Sequence, residues 1–277
     1  MPLDSHKARE YKLGSGPYIH SISGGQFLRA YVERYNDPPM RNLITFGSQH
    51  MGISDLPGCK PTDFLCRAAR SAARSGVYTS WAQKNLVQVR WIYYVNDQSP
   101  NCFDLQAQYY RDHRNYGAYL DVSRFLADIN NEVPNDDDGG DDDDDAHFTR
   151  SRNLTYAANF ASLDNFVTIL FDQDKTVIPK ESSWFGSYAI PTDDDDVDEE
   201  PTIIHMRKQP LYKEDWIGLR KLDEAGKVFL VVCQGTHMQL TDECWRPIVQ
   251  RWVGSVDMEN STPVTEMEIP SLLLQDW

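Results

Sequence analysis

Ser21-Ile22-Ser23-Gly24-Gly25 lies between a short apolar stretch, Tyr18–Ile22, and a segment with helical spacing, Gln26–Tyr35. Small-x-Ser-x-Gly between a strand and a helix is the pattern of a nucleophile elbow. The hydroxyl must stand in a tight turn at the carboxyl edge of a sheet. The residues two before and two after it must be small, or they collide with strand and helix. Gly25 meets that condition, and Ser21 takes the place of the commoner glycine. The N–H of Gly24, at the start of the helix, would point at a developing oxyanion. Ser-Gly-Gly also makes ordinary turns, so the pentapeptide decides nothing alone.

Two further residues extend the pattern. Asp174 follows the apolar run Asn165–Phe171, and His237 follows Lys227–Cys233. Ser23, Asp174 and His237 therefore each come after the end of an expected strand, in the order Ser, Asp, His, which is one of the known orders of a hydrolytic triad. In that arrangement His237 takes the serine proton and Asp174 holds the imidazole. Asp172 competes with Asp174 for that place. An acid after a strand is also a common turn former. His50 follows a strand end too early in the order, and His6, His20, His113, His147 and His205 lie off the expected strand ends.

The elements that must hold these residues are legible as apolar runs. Tyr18–Ile22, Asn42–Phe46, Asn165–Phe171 and Lys227–Cys233 read as strands, and their continuous rather than alternating apolar character suits a parallel sheet covered on both faces. Strand, helix, strand over 18–46 has the length of one right-handed crossover. Helical spacing recurs at Phe64–Ser75, Ser80–Trp91 and Leu105–His113, so residues about 55–160 read as a mostly helical insertion. Asp242–Val253, with Trp245, Ile248, Val249 and Trp252, is an amphipathic closing helix.

Composition narrows the function. The 277 residues carry a formal charge of −15, yet 15 of the 42 acids sit in two runs within 136–145 and 193–200, and the remaining 27 balance 27 Lys and Arg. The acidity is local, the runs read as solvated loops without the ligand order of a calcium loop, and a nucleic-acid binder is disfavoured. No run is long enough to span a membrane. Among the five cysteines there is no Cys-x-x-Cys and nowhere a His-Glu-x-x-His, so neither metal nor cofactor is expected. Cys59 and Cys66 flank a loop with Pro61 that a small disulfide would close. Asn153-Leu154-Thr155 and Asn260-Ser261-Thr262 are glycosylation sequons.

Beyond these features the sequence resembles a known family. Gly24-Gly25-Gln26-Phe27-Leu28-Arg29-Ala30, Gly47-Ser48-Gln49-His50-Met51-Gly52, Phe125-Leu126-Ala127-Asp128-Ile129-Asn130, Ser183-Trp184-Phe185-Gly186 and Gly235-Thr236-His237-Met238-Gln239-Leu240 are similar, in register, to segments of the palmitoyl-protein thioesterases. The resemblance runs from about residue 24 to 254. It implies an α/β-hydrolase fold over 18–277, and hydrolysis of palmitoyl or other long-chain acyl thioesters on protein cysteines through an acyl-enzyme. It also implies a Cys59–Cys66 disulfide, an apolar groove to which Trp184 and Phe185 would contribute, a monomer, and a lysosomal, vacuolar or secreted relative.

Two departures stand beside it. The family elbow reads Gly-Phe-Ser-Gln-Gly-Gly-Gln-Phe, so without a gap Ile22 falls in the nucleophile column. A one-residue deletion puts Ser23 there and restores small-x-Ser-x-Gly. Family members also have about a hundred residues before the elbow, with a signal peptide, further strands and an oxyanion loop. Here 22 residues precede it, matching none of these, and 1–17 read as disordered or non-native. The expectation is an N-terminally truncated α/β-hydrolase domain without the first strands of the sheet. Its alternatives are an inactive remnant that binds lipid or a partner, and a hydrolase of another ester.

Overall fold

The structure is a computed structural model. It describes residues 18–20, 22–55, 76–79, 107–132, 152–191 and 201–253, with backbone alone at 18–20, 22, 23 and 107. The expected helices Phe64–Ser75 and Ser80–Trp91, both acidic runs, Cys59, Cys66, Asn260 and residues 1–17 lie outside the described residues.

The chain order is β1 (Tyr18–His20), α1 (Ile22–Arg34), β2 (Asn42–Phe46), α2 (Tyr116–Val122), α3 (Leu126–Ile129), α4 (Leu154–Phe160), β3 (Asn165–Phe171), β4 (Ser187–Tyr188), β5 (Ile203–Ile204), α5 (Pro210–Lys213), α6 (Leu219–Glu224), β6 (Val228–Cys233) and α7 (Asp242–Trp252). The molecule is mixed α/β. Its main sheet has the order β1-β2-β3-β6, and all three pairings are parallel. A separate antiparallel ribbon joins β4 to β5. The carboxyl ends of the four long-range strands thus share one edge, and every expected strand forms within two residues of its expected ends.

Alternation along the strands explains why apolar runs were needed. Leu43, Phe166, Leu170 and Leu230 face one side, against Val32 of α1, Phe160 of α4, Leu211 of α5 and Leu219 and Leu222 of α6. Ile44, Phe46, Val167, Ile169, Phe171 and Val231 face the other, against Ile248 and Trp252 of α7. Both faces are packed against helices, as a parallel sheet between helices requires, except at Val232 of the outer strand β6. Residues 107–132 pack on α1 through Ala30, Tyr119, Leu126 and Ile129.

Two expectations need correction. Leu105–His113 is not an α-helix. It holds a 3₁₀ turn at Ala107–Tyr109, and a second begins at His113. Between them Arg111 N–H donates to the Ile53 carbonyl at 2.8 Å, and Ile53 N–H to Tyr109 at 2.8 Å. Those tertiary bonds take groups that a continuous helix would use internally. The second correction is that α1 starts at Ile22 rather than Gln26, so Ser23 and Gly24 sit inside its first turn. Gly25, a poor helix former, is kept there by close packing: a methyl group on it would overlap Ser48 Oγ and come within 3.1 Å of Thr45 Cγ2.

Candidate functional site

The edge made by the strand ends gathers three loops. β3 ends at Phe171, and Asp174 lies in the turn that follows. Its side chain is 1% exposed, and both oxygens are engaged. Oδ1 accepts from the N–H groups of Thr176 (2.8 Å) and Val177 (3.0 Å), which fix the carboxylate from behind. Oδ2 faces His237 Nδ1 at 2.5 Å. Asp172 points elsewhere: its Oδ1 accepts from Gly235 N–H at 2.7 Å. Of the two acids that the sequence offered, Asp174 therefore meets the imidazole.

His237 sits four residues past the end of β6, half-buried. With Nδ1 against a carboxylate, the tautomer that leaves Nε2 as an acceptor is favoured. Nε2 is buried and has no hydrogen-bond partner among the described residues. Phe171 packs near the ring at 6.2 Å, tilted by 62°. Below it lies Gly47, the residue after β2, with φ +56°. A methyl group there would stand 3.1 Å from His237 Cε1 and 3.3 Å from Nδ1. The left-handed glycine turn thus makes the space that the imidazole fills, a role that nothing in the sequence reading assigned.

Ser23 and Gly24 reach the same edge from β1. Both lie in the first turn of α1, whose N–H groups have no acceptor within the helix. The Ser23 side chain is outside the described residues, so the structure pairs Asp174 with His237 and leaves Ser23 placed by its backbone only. Trp184 and Phe185, expected along an acyl groove, are core residues. They are 3% and 0% exposed; Trp184 Nε1 donates to the Thr168 carbonyl, and Phe185 stacks on His50 at 4.8 Å. Neither lines the cavity of about 530 Å³ between Arg111, Tyr188, Ile204 and Trp216. His50 itself is wholly buried, its Nε2 3.0 Å from Thr45 Oγ1, and burial with Arg29 nearby holds it well below the usual histidine range. Asn153 is an exposed N-cap of α4, its Oδ1 accepting from Thr155 N–H at 3.0 Å.

One covalent bond was missed. Cys233, the last residue of β6, is joined to Cys244 in the first turn of α7, with Cα atoms 5.3 Å apart. The signal was available as a cysteine at a strand end and another at a helix start, 11 residues on. Among the described residues no group of His, Cys, Asp and Glu is arranged to hold a metal. No described helix is long and apolar enough to cross a membrane.

A parallel sheet between helices, with an acid and a histidine paired at its carboxyl edge, defines a class of α/β proteins that carry sites on strand-end loops. The family model for palmitoyl protein thioesterase matches residues 18–237, and the chain belongs to that family. It is 38% identical to palmitoyl-protein thioesterase 1 of Caenorhabditis elegans, over 78% of this chain and 59% of that protein. It is 30% identical to a palmitoyl-protein thioesterase-dolichyl pyrophosphate phosphatase fusion of Schizosaccharomyces pombe, over 97% of this chain and 36% of the relative. A lysosomal thioesterase of Xenopus laevis is 29% identical over 46% of this chain and 36% of its own length. The chain thus spans between about a third and three fifths of these relatives.

Proposed function

We propose that the chain is an α/β-hydrolase acting on long-chain acyl thioesters of protein cysteines, with Ser23 as nucleophile, His237 as general base and Asp174 as the acid that orients it. The observation that carries this reading is the His237–Asp174 contact at 2.5 Å together with an unpartnered, buried Nε2. Ser23 Oγ attacks the thioester carbonyl as its proton passes to Nε2. The negative charge that gathers on the carbonyl oxygen faces the Gly24 N–H in the first turn of α1, where the helix dipole adds to its stabilisation. Collapse of the tetrahedral intermediate expels the cysteine sulfur, which takes the proton from the imidazolium. Water, deprotonated by His237, then releases the fatty acid and regenerates Ser23.

Family membership supports the thioester as substrate, and the names of the relatives carry the acyl group. The Cys233–Cys244 disulfide and the lysosomal relative support an oxidising compartment of the secretory route. Asn153, exposed at a helix start, suits a glycan there. Labelling with a fluorophosphonate tests the nucleophile: the label is expected on Ser23 and absent from Ser23→Ala. A folded protein that takes no label overturns the enzymatic reading and leaves a thioesterase-family binding protein. Rates on matched palmitoyl thioester and oxygen-ester substrates test the substrate class; equal or faster oxygen-ester turnover overturns it.

A further inference from the structure

His237 stands on a largely exposed loop that packs on the core through Met238. Gln234, Thr236, Gln239 and Leu240 are exposed, and β6, which feeds the loop, is an outer strand of the described sheet with Val232 open to solvent. Such a segment samples local openings more readily than a core strand does. Yet the imidazole must be held to within fractions of an ångström against Asp174.

Met238 packs with the α7-side core and the His237 ring rests on Phe171 and Gly47, while the two ends of the loop are restrained separately. From β3, Asp172 N–H donates to the Cys233 carbonyl (3.0 Å), Gly235 N–H donates to the Asp172 carboxylate (2.7 Å), and Gln173 N–H to the Gly235 carbonyl (3.0 Å). These bonds hold the departing end of β6, and they stop at Gly235. The side chain of Gln239 accepts from Thr236 N–H at 3.0 Å, but it belongs to the same loop and anchors it to nothing outside. The far end of the loop is restrained by the disulfide. Cys233 and Cys244 are 3% and 8% exposed, packed with Val231, Ile248 and Trp252. Their bond closes residues 234–243 into a ring fastened to the α7 face of the sheet. His237 lies inside that ring.

We propose that the Cys233–Cys244 disulfide is a positioning clamp for His237, fixing the return of its loop so that Nδ1 stays on Asp174. The inference rests on reading His237 as the base. A tenth-nanometre displacement of a catalytic group can cost about 10²-fold in rate, so the clamp acts on turnover more than on substrate binding.

The test compares the wild-type chain with Cys233→Ala/Cys244→Ala and with Cys244→Ala alone. Circular dichroism and thermal melting report folding. The low-field proton resonance of the His237–Asp174 hydrogen bond, recorded where the imidazolium is formed, reports position without turnover. Hydrolysis of a palmitoyl thioester reports kcat and KM. Below the melting transition, a folded variant is expected to keep KM within about twofold, lose about tenfold to 10²-fold in kcat, and show a broadened or missing resonance. A folded variant that keeps the resonance overturns the clamp, whatever its kcat. So does a wild-type protein without the resonance, or a disulfide without which neither variant folds, since the bond then holds the fold rather than the loop. A wild-type chain with the resonance but no thioesterase activity, whose variants lose the resonance, leaves the clamp standing and removes the substrate reading instead.

Discussion

Asp172 and Asp174 are two residues apart and of one chemical type, yet they have different partners. Asp174 gives one oxygen to two backbone N–H groups and the other to His237. Asn at 174 can keep the backbone bonds through its oxygen while presenting its NH₂ to Nδ1. That forces the proton onto Nε2 and removes the base. Asp174→Asn is therefore expected to fold normally and to lose about 10³–10⁴-fold in kcat with little change in KM, measured on a palmitoyl thioester. Gly47→Ala probes the same ring from below. The left-handed backbone costs an L-residue about 1–2 kcal/mol, and the new methyl presses on Cε1 and Nδ1. Lower melting by that amount, together with slower fluorophosphonate labelling, is expected. Labelling at the wild-type rate would show that the ring moves aside harmlessly. The sequence put Asp174 first and Asp172 as its competitor, and a choice between them depends on how the chain turns after Phe171. Gly47 carried no signal either: its use lies in a contact with a residue 190 positions away.

Elements were more legible than contacts. The four strands of the parallel sheet were visible as nearly continuous apolar runs, since burial on both faces leaves few polar positions beyond Thr45 and Thr168, and α7 was visible by its amphipathic spacing. Leu105–His113 failed for the opposite reason. Its helical spacing is real, but Ile53 bonds to Tyr109 and Arg111 and pulls the backbone out of the helix. Helix α1 shows what periodicity cannot reveal. On its buried face Arg29 donates to Asn130 Oδ1 at 2.6 Å and lies 3.5 Å from Glu33, with both side chains fully buried. The Glu33 oxygens accept no hydrogen bond among the described residues, and burial, only partly opposed by Arg29, pushes its carboxyl up to about 8. In the unfolded chain the same group titrates near 4.5. Folding therefore gains a proton between those values. The contribution is fully present below about 4.5 and is lost as the pH rises through about 8. Denaturant unfolding should show stability falling by a few kcal/mol across that interval, and Glu33→Gln should flatten the fall. An unchanged slope in the variant would mean that Arg29 keeps Glu33 ionised.

At the scale of the whole molecule, charge and fold are separate matters. The acidic runs account for the entire net charge, and the described elements that build the sheet and the His237–Asp174 pair contain neither run. Among the described residues the sheet is covered on one side by α1 and α4–α6 and on the other by α7. Loss of the Cys233–Cys244 bond, which closes a short loop, should cost about 3 kcal/mol if it acts mainly on the unfolded chain.

The same bond sets what a protease would leave behind. The exposed residues 234, 236, 239 and 240 are accessible points for cleavage, and each lies between the two bonded cysteines. A single cut there breaks the main chain but frees nothing, because α7 remains tied to the end of β6. On a denaturing gel such a product should migrate as one band without reductant and as two with it. Two bands in both lanes would mean that the bond had not formed. In a compartment rich in proteases, a nicked molecule would still keep its second face covered, and its remaining activity would measure how much of the His237 loop survives as a broken ring.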